Sequence, residues 1–283
     1  MLAVALSLLV SGVSARCNAW SCRQQLFKAV QGDMENATST VRRHTWLTGG
    51  RLHDAATLWI DALARDLPGD WIETGVWKGG TSLLAAKIAV AHSRFKDCCT
   101  THSRTVWLAD SFEGLPPPRE EDSGKDAGQW NAPGVKNHKM DAPGSYAVDL
   151  PSVRSIFLAE GFKEADGENK YHGLVGPGPN MVRVRFAKGW FKDTLTPPPM
   201  DVLAVLRVDG DMYTSTMDAM RPLYPLLQPS GFLIIDDYGH WVACQKAIDD
   251  YFQKEQGWMP ALMHSDYTGR WMQKPVALSN HTP

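Results

Sequence analysis

Residues 201–238, DVLAVLRVDGDMYTSTMDAMRPLYPLLQPSGFLIIDDY, decide how the fold is read. From Asp201 the chain runs apolar for the length of a strand and ends in Asp209-Gly210-Asp211. A helix is predicted from near Tyr213, and Gly231 to Ile235 is a second apolar run, ending in Asp236-Asp237. Short apolar runs bounded by turn signals fit strands buried on both faces, which is the habit of parallel sheets. Four carboxylates at the ends of two such strands are costly, because an unpaired buried charge loses several kcal/mol through desolvation. A cation is the simplest remedy.

The same alternation extends upstream. Asp70 to Gly75 (DWIETG) reads as a strand, Gly79-Gly80-Thr81 opens a helix through SLLAAKIAVAH, and Thr105 to Ala109 reads as a strand ending at Asp110. Before them, Leu52, Ala55, Ala56, Trp59, Ala62 and Leu63 recur at helical spacing until Pro68-Gly69. A helix over about 150–160, a strand over 181–186, a helix over 242–252 and a last strand near 270–278 complete the reading. Alternating strands and helices predict an α/β fold with a mostly parallel central sheet and helices on both faces.

At 283 residues and 43% hydrophobic, the chain can bury one large core, and residues 45–280 read as a single domain. Residues 16–44 are mixed and read as an N-terminal extension of one or two peripheral helices or a tail. Residues 1–15, MLAVALSLLVSGVSA, suit a signal peptide cleaved before Arg16, with a first core helix or an arbitrary start as the competing readings. The compartment therefore stays open between cytoplasmic and secretory. The run is shorter than the ~20 apolar residues of a membrane span. Residues 116–146 form a proline- and glycine-rich, lid-like insertion around Trp130, and 163–180 form a second glycine-rich insertion.

A net charge of -2 excludes the basic footprint of a nucleic-acid binder and leaves small-molecule chemistry. The cysteines are Cys17, Cys22, Cys98, Cys99 and Cys244, without paired C-x-x-C spacing, which argues against zinc. In an exported chain Cys17 and Cys22 would bridge each other; in a reducing compartment all five stay free thiols.

Glu73-Thr74-Gly75-Val76-Trp77-Lys78-Gly79-Gly80 lies where the first strand turns into a helix. Glycines there let backbone approach a ligand. The acid at Glu73 departs from dinucleotide-binding patterns and suits a cationic amino-acid moiety or a ribose hydroxyl, with a plain structural turn as the alternative. Asp110, with Ser111, ends the next strand where such folds set an acid against a ribose, or else caps a helix. If the strands ending at Asp209 and Asp236 are neighbours, Asp209, Asp211, Asp236 and Asp237 converge, and an all-oxygen set favours Mg2+. His240 and the segment 191–195 are weaker candidates, for a proton acceptor and a cleft border.

Several motifs together carry a resemblance: GGRL (49–52), PGDWIETGVWKGG (68–80), DSFEGLP (110–116), VRFAKGWFKDTL (184–195), LRVDGDMYTST (206–216), LYPLLQPSGFLIIDDYG (223–239) and DYTGRWMQK (266–274). With them the chain resembles the macrocin O-methyltransferase family. That resemblance implies a Rossmann-like class I fold and Mg2+-dependent methyl transfer from S-adenosylmethionine (SAM) to a hydroxyl of a sugar or other diol. It implies Asp209, Asp236 and Asp237 as metal ligands and Asp211 as general base. It also implies a SAM site lined by Glu73, Gly75, Val76, Trp77 and Gly79, with Asp110 and Ser111 near the adenosine. The expected partner is a small-molecule acceptor, and a homo-oligomer stays open. Two rival readings are a nicotinamide-dependent oxidoreductase on a related fold and a non-catalytic SAM- or nucleotide-binding module.

Overall fold

The computed structural model describes residues 17–117, 144, 146–165, 171, 173–178 and 182–276. Residues 1–15, read as a signal peptide, a first core helix or an arbitrary start, lie outside these residues, as do Trp130 and most of the lid-like insertion. Among the described residues nine strands form one sheet: β1 (Asp70–Thr74), β2 (Thr105–Asp110), β3 (Lys163–Glu164), β4 (Leu174–Val175), β5 (Arg183–Lys188), β6 (Leu203–Val208), β7 (Leu227–Ile235), β8 (Met263–His264) and β9 (Arg270–Gln273), in the order β3-β4-β5-β2-β1-β6-β7-β9-β8. The five central strands, β5 to β7 in that order, pair in parallel, while the outer pairs are antiparallel. The structure is thus the expected mixed, mostly parallel α/β fold.

The helices are α1 (Ala19–Glu35), α2 (Thr40–Arg43), α3 (Gly49–Ala64), α4 (Gly80–Arg94), α5 (Leu150–Ala159), α6 (Phe191–Thr194), α7 (Tyr213–Leu223) and α8 (Val242–Asp250). Strand alternation divides the core between the two faces of the sheet. Trp71, Val205, Phe232 and Ile234 join the cluster built with α1, α3, α4 and α5. Ile72, Leu206, Leu233 and Ile235 join the cluster built with α7 and α8. Each fully buried large side chain contributes about 1.5–3 kcal/mol, so both faces are strongly fixed.

Some expectations need correction. Residues 19–35 form an outer helix that is nonetheless anchored: Cys22, Leu26, Val30 and Met34, spaced by four, form a buried stripe on one side of α1. The cysteines bridge neither each other as Cys17–Cys22 nor remain free. Cys17 pairs with Cys99 and Cys22 with Cys98, joining α1 to the segment after α4, and only Cys244 is a free, buried thiol. The strand expected at 181–186 is Arg183–Lys188, and the last strand is Arg270–Gln273, with Lys274 still bonded to β7 at Ser230 and Gly231; residues 277 and 278 of the expected strand lie outside the described residues. The helix expected over 242–252 stays α-helical to Asp250 and continues as a π-helical turn over Tyr251–Gln256. None of the described helices is long and apolar enough to cross a membrane.

Candidate active site

Strand order reverses at β1 and β6: the chain moves from β1 through β2 to β5, then crosses back to β6 and β7 on the other side. Ligands of open α/β sheets bind outside the carboxyl ends of the strands at such a switch point. Here the backbone itself carries the acids to that edge. Asp209 N–H donates to the Thr74 carbonyl (2.9 Å) and Asp236 N–H to the Val208 carbonyl (3.0 Å), so the parallel ladder continues into both acidic turns. Gly75 has φ +85°, and a Cβ there would sit 1.9 Å from the Asp209 carbonyl oxygen. Only glycine lets the Asp209 backbone approach the end of β1 this closely.

The Gly75–Gly79 turn is held from below by Asp110. One of its carboxylate oxygens accepts from Val76 N–H (2.8 Å) and the other from Phe112 N–H (2.7 Å). Asp110 thus shapes a loop and caps no helix, and its pKa is raised by burial. Ser111 Oγ accepts from Glu113 N–H (3.0 Å) and donates to the Gly114 carbonyl (3.0 Å). Gly79 (φ +83°) leads into α4, whose first N–H, on Gly80, donates to the His44 carbonyl at 2.8 Å. Glu73 is buried: one oxygen accepts from Ser82 Oγ and the other from Arg207 (2.7 Å). Burial pushes the Glu73 carboxyl up to about 7, opposed mainly by Arg207.

Carboxylate oxygens of Asp209, Asp211 and Asp237 lie within 4.8 Å of one another. Asp236 stands beside them with both oxygens engaged, one by Arg207 (2.6 Å) and one by Arg51 (2.5 Å). Burial raises the Asp236 carboxyl to about 6, and it raises that of Asp237 well above the ordinary range, helped by Asp211 and Asp209. Asp237 Oδ2 is buried without a hydrogen-bond partner. Asp211 has φ +56°, a left-handed backbone that a non-glycine residue adopts at some cost.

A cavity of about 900 Å³ opens over these groups. Gly75, Trp77, Asp110 and Ser111 line one part and Asp209, Asp211, Asp236 and Asp237 another. Glu73, Val76 and Gly79 are not among its lining residues; Val76 and Gly79 belong to the turn itself, and Glu73 is buried beneath it. His240, Phe191 and Lys192 do line it, alongside Trp46, Trp190, Trp241 and Tyr267. The sequence reading passed over Arg51 and Arg207. Arg207 was detectable as the lone charge within the apolar run LAVLRV, and Arg51 as part of the GGRL motif. A second group of potential ligand atoms, Cys22, His92 and Cys98, has its two sulfurs bonded to each other, which leaves one imidazole.

The chain is 36% identical over 214 residues to demethyldecarbamoylnovobiocin O-methyltransferase of Streptomyces niveus, covering 75% of this chain and 68% of that one. It is 38% identical over 208 residues to mycinamicin III 3''-O-methyltransferase of Micromonospora griseorubida, covering 74% and 70%. Among solved structures, the O-methyltransferase NovP superposes with a TM-score of 0.64 at 30% identity, over 92% of this chain and all of that one. The calicheamicin methyltransferase CalS11 shares the fold, with a TM-score of 0.56 at 16% identity over 90% and 91% of the two chains. The family model described as macrocin-O-methyltransferase (TylF) matches residues 40–274, most of the chain. The protein belongs to the macrocin O-methyltransferase family and is a SAM-dependent O-methyltransferase of class I fold.

Proposed function

We propose that this enzyme methylates a hydroxyl of a small-molecule diol, a sugar foremost, with Mg2+ as its metal. One observation carries the reading: the Gly75–Trp77 turn and the cluster of Asp209, Asp211 and Asp237 open onto the same cavity. The donor set fits a hard divalent ion, being all carboxylate oxygen. The charge fits as well. Glu73, Asp209 and Asp236 pair with the guanidinium groups of Arg51 and Arg207, Asp211 and Asp237 add two more carboxylates close to Asp209, and the buried Oδ2 of Asp237 lacks a partner.

Asp209 and Asp237 would hold the ion together with Asp236, which keeps lone pairs beyond its two arginine contacts, since a carboxylate offers about four. Mg2+ bound there would lower the pKa of an acceptor hydroxyl and stabilise charge on its oxygen. Asp211, half-buried on the cavity wall, takes the acceptor's proton. Gly75, Trp77, Asp110 and Ser111 receive the donor, and Asp110 keeps the turn in shape while offering its remaining lone pairs to a ribose hydroxyl. Trp190 and Trp241 also line the cavity, and Trp46 does so against Trp77, its ring centroid 5.0 Å away. Alignment of oxygen, methyl carbon and sulfur is the rest of the protein's work.

The α4 N-terminus gives little support to the nicotinamide reading, because the Gly80 N–H that would face a pyrophosphate is bonded to His44. The proximity of Asp211 to Asp209 and Asp237 favours a second reading of the metal set, with Asp211 as third ligand and Asp236 as an anchor for the arginines. Loss of Mn2+ affinity in Asp211→Asn but not in Asp236→Asn would select it. The primary test is methyl transfer from SAM to sugar, phenol and polyol acceptors with Mg2+ or with EDTA. Transfer that stops in EDTA and returns with Mg2+ is expected. Transfer indifferent to EDTA would remove the metal, and transfer confined to isolated hydroxyls would remove the diol.

A further inference from the structure

Arg207 is the penultimate residue of β6 and is almost fully buried. Its Nη1 donates to Glu73 (2.7 Å) and to Asp209 (2.9 Å), and its Nη2 donates to Asp236 (2.6 Å). These three carboxylates come from the ends of three neighbouring strands, β1, β6 and β7. A counter-ion for one buried acid needs one partner. A planar guanidinium that reaches three strand ends fixes their relative positions, which a point charge cannot do.

We propose that Arg207 is a positioning residue through which the donor side and the divalent-ion side of the site strengthen each other's binding; this rests on the metal reading above. Nη1 carries two hydrogens and donates one to Glu73 and one to Asp209, so a single nitrogen ties the end of β1 to the end of β6. When Asp209 turns to a cation, the guanidinium loses that anchor and its charge shifts toward Glu73. Ser82 already holds the other Glu73 oxygen, so the end of β1 becomes fixed two residues before Gly75. In the reverse direction, a ligand settled on the Gly75–Trp77 turn favours the fixed strand end and so frees Asp209 for the cation. Coupling between two sites is reciprocal by necessity.

The experiment measures S-adenosylhomocysteine affinity by calorimetry with and without Mn2+, and Mn2+ affinity by electron paramagnetic resonance with and without S-adenosylhomocysteine. In the wild type each ligand should tighten the other by about 5-fold or more, and by the same factor, within the usual range of such couplings. Arg207→Met should bring that factor to about 1, and Arg207→Lys should do the same while retaining the charge, because a lysine is a point charge that cannot bridge three acids. A purely structural arginine would lower Tm in both variants and leave the factor intact, which overturns the proposal. If neither variant folds, Glu73→Gln carries the test, since it removes the charge that ties Arg207 to the end of β1, and an unchanged factor there also overturns it. A wild type that binds both ligands independently sinks this inference alone. One that binds no Mn2+ sinks the metal reading, and this inference with it.

Discussion

The carboxyl ends of β1, β6 and β7 and the junction of α1 with residues 97–99 both collect groups that are awkward to bury, and they treat them differently. At the junction nearly every such group has its partner. Cys17 and Cys22 are bonded to Cys99 and Cys98, and Asp97 accepts from Ser21 and Gln25 at 2.6 Å each. At the strand ends the acids outnumber the arginines beside them, Asp237 keeps a buried oxygen without a partner, and Asp211 holds a left-handed backbone. Saturated interactions mark a scaffold, and local rules left broken mark the place where ligands complete the structure. His92 is the exception on the scaffold side. It is buried beside Cys22 and Cys98, with Nε2 lacking a partner.

The contrast can be broken most sharply at Asp211. Asp211→Asn should lower turnover by roughly 10²- to 10⁴-fold, the usual contribution of a general base, with S-adenosylhomocysteine affinity and Tm little changed. Near-normal turnover would remove Asp211 from the chemistry. Next comes the scaffold. Replacing Cys22 and Cys98 together by serine should cost about 2–4 kcal/mol in denaturant unfolding, while methyl transfer below the new transition stays close to wild type. Activity lost before stability would show that the junction belongs to the site.

The smallest effect concerns His92. Burial first, and then the Arg104 charge, lowers its pKa to about 4 from an ordinary value near 6.5. The unfolded chain therefore binds more protons between those values. The contribution from keeping His92 neutral is complete above about pH 6.5 and lost as pH falls toward 4, an effect on the order of 2–3 kcal/mol. Unfolding free energies of wild type and His92→Gln across pH 4–7 should converge as the pH drops. Parallel curves would refute the shift.

The strands that the sequence showed most clearly, β1, β2, β6 and β7, are those buried on both faces, because an unbroken apolar run of strand length fits little besides the interior of a parallel sheet. The two-residue strands β3, β4 and β8 are too short to carry any periodicity and exist only through their antiparallel neighbours. The buried stripe of α1 was legible in principle at spacing four, but it was hidden by the polar residues between its members.

At the site, the inventory follows from the residues alone: an acid-rich turn after each of two buried strands, a glycine turn after the first strand, and a family whose members are O-methyltransferases. Local chemistry suffices for that, since the cost of burying a carboxylate and the need for glycine at a crowded turn are properties of a few consecutive residues. Tertiary structure alone decided who partners whom. Cys17 and Cys22 found Cys99 and Cys98 rather than each other. Asp236 was given to two arginines, while Asp209, Asp211 and Asp237 were drawn together. Those pairings depend on sheet order and register, which bring residues 73, 207 and 236 side by side although they lie far apart along the chain. The crowd of carboxylates at DGD and DDY thus becomes an arrangement in which Arg207 bonds to the ends of three strands.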